Sequence, residues 1–252
     1  MKAREATELG ERIGALVQAG QIRQAYDLLA PVLAERTPFR LLDRIGEPVG
    51  AGPLGEARPE HSRRASAFLD HVATAGAEGG WVVIGSALGR QLERDPAGAF
   101  ARCRGFVVAA DVWYGADILG ERVPGPALVA DFEPVLALLA PWREDQNRWV
   151  RRAVGVAAHF WAKRSRGAVE HTAKAEALLA FLEPMFEEWE MDAVKGVGWG
   201  LKTLGRHYPD LVADWLARDI LSRQRKYRAL MLRKALTYLS DEQRARATGR
   251  AA

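Results

Sequence analysis

The chain has little cysteine, little histidine and no long apolar run, and each shortage removes a class of function. Its single cysteine, Cys103, rules out an intrachain disulfide framework and any zinc site built from several thiolates. Cys103 reads instead as a small buried hydrophobe. Five histidines are scattered without an HxH or HExxH pairing, so no metal centre is expected. No apolar stretch reaches the ~18–20 residues that cross a bilayer. The opening MKAREATELGERIGALVQAG carries acids and reads as an amphipathic helix, without the apolar core and cleavage site of a secretory signal. A cytoplasmic protein is expected. No signature of a nucleotide or flavin is present, and the expectation for cofactors is none.

What is present suits one soluble globular core: 252 residues, 48% apolar and 27% charged. The net charge is only +4, but its distribution is uneven. Arg148, Arg151, Arg152, Lys163, Arg164 and Arg166 follow Asp145 with no acid before Glu170. Arg218, Arg223, Arg225, Lys226, Arg228, Arg233 and Lys234 are set against Asp219 alone. Acids collect elsewhere, as in FEEWEMD. Such asymmetry can present a positive stripe to a polyphosphate, or it can be a set of merely solvated helix faces.

Apolar residues recur at helical spacing in ALVADFEPVLALLAPW, NRWVRRAVGVAAHFWAK, AEALLAFLEPMFEEW and DLVADWLARDIL. Breakers separate them at Asp95-Pro96, Pro124-Gly125-Pro126, Ser165-Arg166-Gly167, Tyr208-Pro209-Asp210 and Ser240-Asp241. WVVIG and GFVVAADVW have strand-like composition but run into longer helical patterns and read as helix interiors. The rhythm predicts an all-α chain, a curved α-solenoid of antiparallel helix pairs, with a compact helical bundle as the alternative. The expected organisation is an N-terminal helical hairpin within residues 1–45, a Gly/Pro-rich loop over 46–60 that cannot hold a helix, and a continuous array over 61–246.

Three stretches could carry chemistry. In Asp111-Val-Trp113-Tyr114-Gly-Ala-Asp117, Trp113 and Asp117 are four residues apart and share a helix face. An indole beside a carboxylate suits a cation, although a core tryptophan next to a surface aspartate has the same spacing. In Asn147-Arg148-Trp149-Val150-Arg151-Arg152, arginines opening a helix can fork phosphate oxygens, or can pack on acidic neighbours. In Lys195-Gly-Val-Gly198-Trp199-Gly200-Leu-Lys202, glycines weaken the helix by ~1 kcal/mol each and let another surface come close. Trp199 and Lys202 face the same way there. The basic segment SRQRKYRALMLRKAL reads as a further helix whose cations either solvate or rim a groove, with Lys226 and Arg228 as phosphate contacts.

Together these stretches resemble the AlkD-like DNA alkylation repair glycosylases, proteins of HEAT-like helix pairs. The family pattern of Trp-x-x-x-Asp, then Arg-Arg, then Gly-Trp-x-x-Arg appears here as Trp113-x-x-x-Asp117, Trp149-Val-Arg151-Arg152 and Gly198-Trp199-Gly-Leu-Lys202. The stretch ILGERVPGPAL after Asp117 is also similar to the family's link to its next helix. The resemblance covers about residues 61–240 and leaves the N-terminal hairpin aside. Its main departure is Lys202, which keeps the charge of the family arginine and loses the planar fork.

The resemblance implies a glycosylase that releases cationic N3- or N7-alkylated purines from double-stranded DNA, as a monomer, in the cytoplasm and on the nucleoid when bound. Asp117, Trp113 and Trp199 would be catalytic, and Arg148, Arg151, Arg152, Lys202, Lys226 and Arg228 would bind DNA. Contacts would go to backbone and sugar, with the base not necessarily flipped into a deep pocket. Three other functions are compatible with the residues. A non-catalytic relative could hold damaged or branched DNA on the same face. A protein-interaction scaffold would show no steep salt dependence toward DNA. A helix-hairpin-helix site, with Lys195-Gly-Val-Gly198 as hairpin and Asp214 as carboxylate, lacks the usual preceding proline.

Overall fold

The structure is a computed structural model and describes residues 1–51 and 59–249. Among these residues there are helices and turns and no strand. The chain divides into two compact units, Met1–Val123 and Pro124–Ala252.

The first unit contains α1 (Ala3–Gln18), α2 (Ile22–Ala34), α3 (Phe39–Ala51), α4 (Pro59–Thr74), α5 (Glu78–Gln91), α6 (Pro96–Ala110) and α7 (Trp113–Arg122). Alternate helices form two rows: α1 packs on α3, α3 on α5 and α5 on α7, while α2 packs on α4 and α4 on α6. This is the expected grammar of antiparallel pairs, each burying its apolar stripe on the next. Ile13, Leu29, Leu42, Ile45, Phe68, Ile84 and Leu119 are fully buried, at about 1.5–3 kcal/mol for each such side chain. WVVIG and the start of GFVVAADVW lie inside α5 and α6, as read. Cys103 is buried in α6, and burial pushes its thiol well above the ordinary range.

The expected loop over 46–60 is corrected at both ends. Gly46–Ala51 completes α3 and Pro59 opens α4, both in the first unit; residues 52–58 lie outside the described ones. The glycines read as breakers serve packing instead. A Cβ on Gly46 would stand 2.4 Å from the Val83 carbonyl oxygen, and one on Gly50 would stand 1.8 Å from that of Ala87. Burying α3 closely against α5 outweighs a propensity cost of ~1 kcal/mol per glycine. The boundary between compact units falls at Val123, not at residues 46–60, and the array expected to run unbroken from 61 to 246 is divided there.

The second unit contains α8 (Pro124–Ala130), α9 (Phe132–Leu139), α10 (Arg148–Ser165), α11 (Thr172–Leu182), α12 (Met191–His207), α13 (Pro209–Trp215), α14 (Ala229–Ala235) and α15 (Asp241–Thr248). One row runs α8, α10, α12, α14, and the other joins α11 to α13 and α13 to α15. Asn147 caps α10 by accepting from the backbone N–H groups of Trp149 and Val150. Arg166, left-handed at φ 52°, and Gly167, at φ 75°, end that helix. The single helix expected for SRQRKYRALMLRKAL is not formed. A π turn at Leu216–Leu221 runs into a turn at 222–224, residues 225–228 carry no regular structure, and α14 begins at Ala229. Arg223 and Arg225 turn back onto Glu183, and those ion pairs compete with continuation of the helix.

Candidate nucleic-acid interface

In the second unit the site grows from one close helix contact. Helices α10 and α12 run parallel: Arg148 meets Asp192 near their starts, and His159 meets Thr203 further along. A Cβ on Gly155 would stand 2.3 Å from the backbone of Gly196, and one on Gly200 would stand 2.7 Å from the Gly155 oxygen. The glycines let the two backbones touch. Side chains one turn beyond them, on facing helices, are thereby forced into register.

Trp199 and His159 are those side chains. Their rings stack with centroids 3.8 Å apart and planes 23° from parallel. The Thr203 hydroxyl donates to the Trp199 carbonyl at 3.0 Å, so its oxygen accepts from His159 Nδ1 at 2.7 Å. That arrangement puts the imidazole proton on Nδ1 and makes Nε2 the acceptor nitrogen. Burial lowers the His159 pKa to about 4, with Lys163 and His207 adding like-charge repulsion. The imidazole is neutral at physiological pH.

Cations gather on α10, α12 and α14 around this stack. The Lys234 stem packs against Gly198, and its ammonium is pushed below the usual lysine range by burial and then by Lys202, Arg233, Arg152 and Lys195. Lys202 sits over the Tyr238 ring at 5.2 Å and Arg206 over the same ring at 5.4 Å. Burial is the larger cause of that shift, and the neighbouring cations add to it, so positive charge is gathered on this face.

The basic residues picked from the sequence separate here into distinct roles. Arg148 opens α10, pairs with Asp192 at 3.3 Å and lies over the buried Trp149 ring. Arg152 is 7% exposed and donates to the Asp192 carbonyl at 3.1 Å, so it lends charge to the cluster from below the surface. Arg151, expected to bind DNA, does not face outward. It forks Glu188 at 2.5 and 3.2 Å and donates to the carbonyls of Asp145 and Gln146 at 2.6 and 3.1 Å. It ties the start of α10 to the turn before α12. In the second basic run, Arg218 and Arg223 pair with Asp219, and Arg225 with Glu183 and Glu187. Lys226 is exposed in the irregular segment before α14, and Arg228 lies 5.1 Å over the Trp189 ring.

The first unit holds Trp113 and Asp117, one turn apart on α7 as the spacing predicts. Trp113 is the first residue of the helix and is 56% exposed, meeting Tyr114 edge-on at 5.7 Å. Asp117 is partly exposed. Further along α7, Arg122 forks Asp43 at 2.7 and 3.3 Å, and Ser86 donates to the same carboxylate at 2.6 Å. This pins α7 to α3 and α5.

Sequence reasoning missed His159, Thr203 and the Arg122–Asp43 fork, and it had Lys234 only as one cation of the second basic run. A glycine four residues before His159 was the visible signal for the first, and it sits in NRWVRRAVGVAAHFWAK, where the glycines' partner helix could not be read. Asp214, the carboxylate of the helix-hairpin-helix alternative, pairs with Arg246 at 2.9 Å on α13, an ordinary surface contact. Among the described residues no group of histidine, cysteine and acids is arranged to hold a metal, and no helix is long and apolar enough to cross a membrane.

The fold is similar to that of the Pseudomonas fluorescens alkylpurine DNA glycosylase AlkC, solved bound to DNA containing an abasic site analogue. The TM-score is 0.53 and the identity 18%, over 92% of this chain and 62% of that one. The chain therefore spans less than two thirds of the length of the AlkC structure. A comparison with curated proteins returned no match. The model of the DNA alkylation repair enzyme family matches residues 82–239, more than half of the chain and every stretch singled out on α7, α10 and α12, and the chain belongs to that family.

Proposed function

We propose that the protein is an AlkD-like DNA glycosylase that hydrolyses the N-glycosidic bond of cationic N3- or N7-alkylated purines in double-stranded DNA. The observation that carries this reading is Trp199, held on a neutral imidazole at the edge of the Lys195, Lys202, Arg233 and Lys234 cluster. An aromatic plate for a cationic base stands beside charge for the phosphates around it. Membership of the repair family and the likeness to AlkC, a protein solved on DNA, support it.

An alkylated purine already carries a positive charge and leaves as a neutral base without a general acid. The positive charge moves to the sugar as an oxocarbenium ion, and water adds at C1′ with loss of a proton. Asp117 is assigned to stabilise that ion and orient the water. Trp113 and Trp199 are assigned as the aromatic partners of the cation, at ~0.5–2 kcal/mol each. Arg148, Lys202, Lys226 and Arg228 are assigned to the phosphates, Arg152 adds its charge from beneath the surface, and Arg151 is withdrawn from that set. Neutral lesions would be poor substrates, because they leave only when protonated.

The direct test is to incubate the purified chain with N-methylated DNA and to separate the released bases by chromatography. Release of 7-methylguanine and 3-methyladenine is expected. Asp117→Asn should lower it by about 10²-fold or more while affinity for undamaged DNA stays within about 2-fold. Full excision by Asp117→Asn removes that residue from the mechanism. DNA binding without base release by the unmodified chain leaves the non-catalytic alternative.

A further inference from the structure

We infer that His159 is a positioning residue that, with Thr203, fixes the Trp199 indole so that it presents an electron-rich face to a cationic base, making the stacked pair a determinant of charge selectivity. The inference rests on the glycosylase reading above for its biological meaning, but its geometry is independent of that reading. The imidazole covers one face of the indole at 3.8 Å, and its Nδ1–H is held by the Thr203 oxygen at 2.7 Å. The same hydroxyl donates to the Trp199 carbonyl, so one side chain locks both the ring behind and the residue in front.

The chemistry follows from the indole quadrupole. A cation placed on one face of an indole draws electron density toward itself and weakens attraction for a second cation on the other. A neutral imidazole does not. It fills that face with a planar partner and keeps solvent from it, leaving the opposite face as the one a charged base would meet. Burial at 7% exposure, with Lys163 and His207 disfavouring a proton, keeps the backing ring uncharged. The two glycine contacts between α10 and α12 hold the spacing at which the rings can stack.

The experiment uses the full chain and two ligands of nearly equal shape, N7-methylguanosine, which is cationic near neutral pH, and guanosine, which is not. The Trp199 component of indole emission is obtained as the difference between the unaltered chain and Trp199→Phe, and its quenching by each nucleoside gives an apparent affinity. The unaltered chain should favour the cationic nucleoside by about 5-fold or more, within the range of a partly exposed cation–π contact. His159→Ala should reduce that ratio toward one, and acrylamide should then quench Trp199 more strongly. His159→Phe, which keeps a neutral ring without the hydrogen bond, should retain most of the ratio. Thr203→Val should fall between the two.

An unaltered ratio in His159→Ala, or no preference for the cation in the unaltered chain, overturns the inference. Failure of His159→Phe to recover the ratio overturns it as well, because a purely local folding defect would affect both variants alike. Base release from methylated DNA is measured in parallel. A chain that shows the charge preference but releases no base refutes the glycosylase reading and leaves this inference standing.

Discussion

Two tryptophans from the same motif set are held in opposite ways. Trp199 lies in the interior of α12, stacked on His159 and tied through Thr203, over a contact where two helix backbones touch. Trp113 begins α7 in the other unit, more than half exposed, with only the edge of Tyr114 against it among its ring contacts. The first indole has its orientation fixed before any ligand arrives. The second is free to adjust its rotamer and loses side-chain entropy only on binding.

The comparison breaks most severely if the α10–α12 contact is opened. Gly155→Ala would place a Cβ 2.3 Å from backbone atoms of Gly196, which no side-chain rotation relieves. Overpacking against backbone should cost about 3 kcal/mol or more, with separation of the His159–Trp199 stack. Gly105→Ala on α6 of the first unit is the matched control, since a Cβ there meets nothing within 4 Å. Its helix interior should gain about 0.5–1 kcal/mol. Urea unfolding of both variants checks the pair; equal effects would mean that the glycine contact does not hold the second unit together.

A smaller effect sharpens the same contrast through pH. His159 has a pKa of about 4 in the fold against an ordinary 6.5, lowered first by burial. The unfolded chain therefore takes up a proton below pH 6.5 that the folded chain refuses until about pH 4. Stability from this group is complete above pH 6.5 and is lost as the pH falls toward 4. At about 1.4 kcal/mol per pH unit the loss reaches roughly 3 kcal/mol. Lys163 on its own helix and His207 on α12 act on the ring in the same direction as burial. His159→Phe should flatten this part of the stability profile measured by denaturant titration between pH 7 and pH 4. A profile as steep as that of the unaltered chain would mean that the ring is protonated in the fold.

How far such features could be read in advance depended on the distance over which they act. Helix periodicity, the stop at Ser165-Arg166-Gly167 and the Trp113–Asp117 spacing are local, and all were legible. The all-α architecture of stacked pairs followed from that rhythm. The glycines of α3 were misread because the same residue marks a turn or a close backbone approach, and only the partner helix decides which. The basic runs looked alike for a similar reason. Arg151, Arg223 and Arg225 answer acids 37, 40 and 42 residues away, at Glu188 and Glu183, and no window along the chain reveals those pairs. His159 stood alone in the sequence because its partners, Trp199 and Thr203, come from the neighbouring helix.

That division of the arginines and lysines gives the smallest effect and the sharpest reading of the cationic face. Lys202 belongs to the outward cluster on α12 and α14, whereas Arg151 has its guanidinium engaged by Glu188 and two backbone carbonyls. On the DNA-binding reading, Lys202→Ala removes one phosphate contact, and the slope of log affinity against log salt should flatten by about one. At moderate salt the affinity itself should fall only a few-fold. Arg151→Ala should leave the slope unaltered, because no counterion is displaced at a charge already neutralised inside the protein, and should instead lower stability by about 3–5 kcal/mol as Glu188 loses its buried partner. Fluorescence anisotropy of a labelled duplex across a salt series, with the folded fraction set by denaturant titration, separates the two. If Arg151→Ala flattens the slope as much as Lys202→Ala does, the ion pair to Glu188 opens on DNA, and Arg151 returns to the phosphate-binding set from which its geometry removed it.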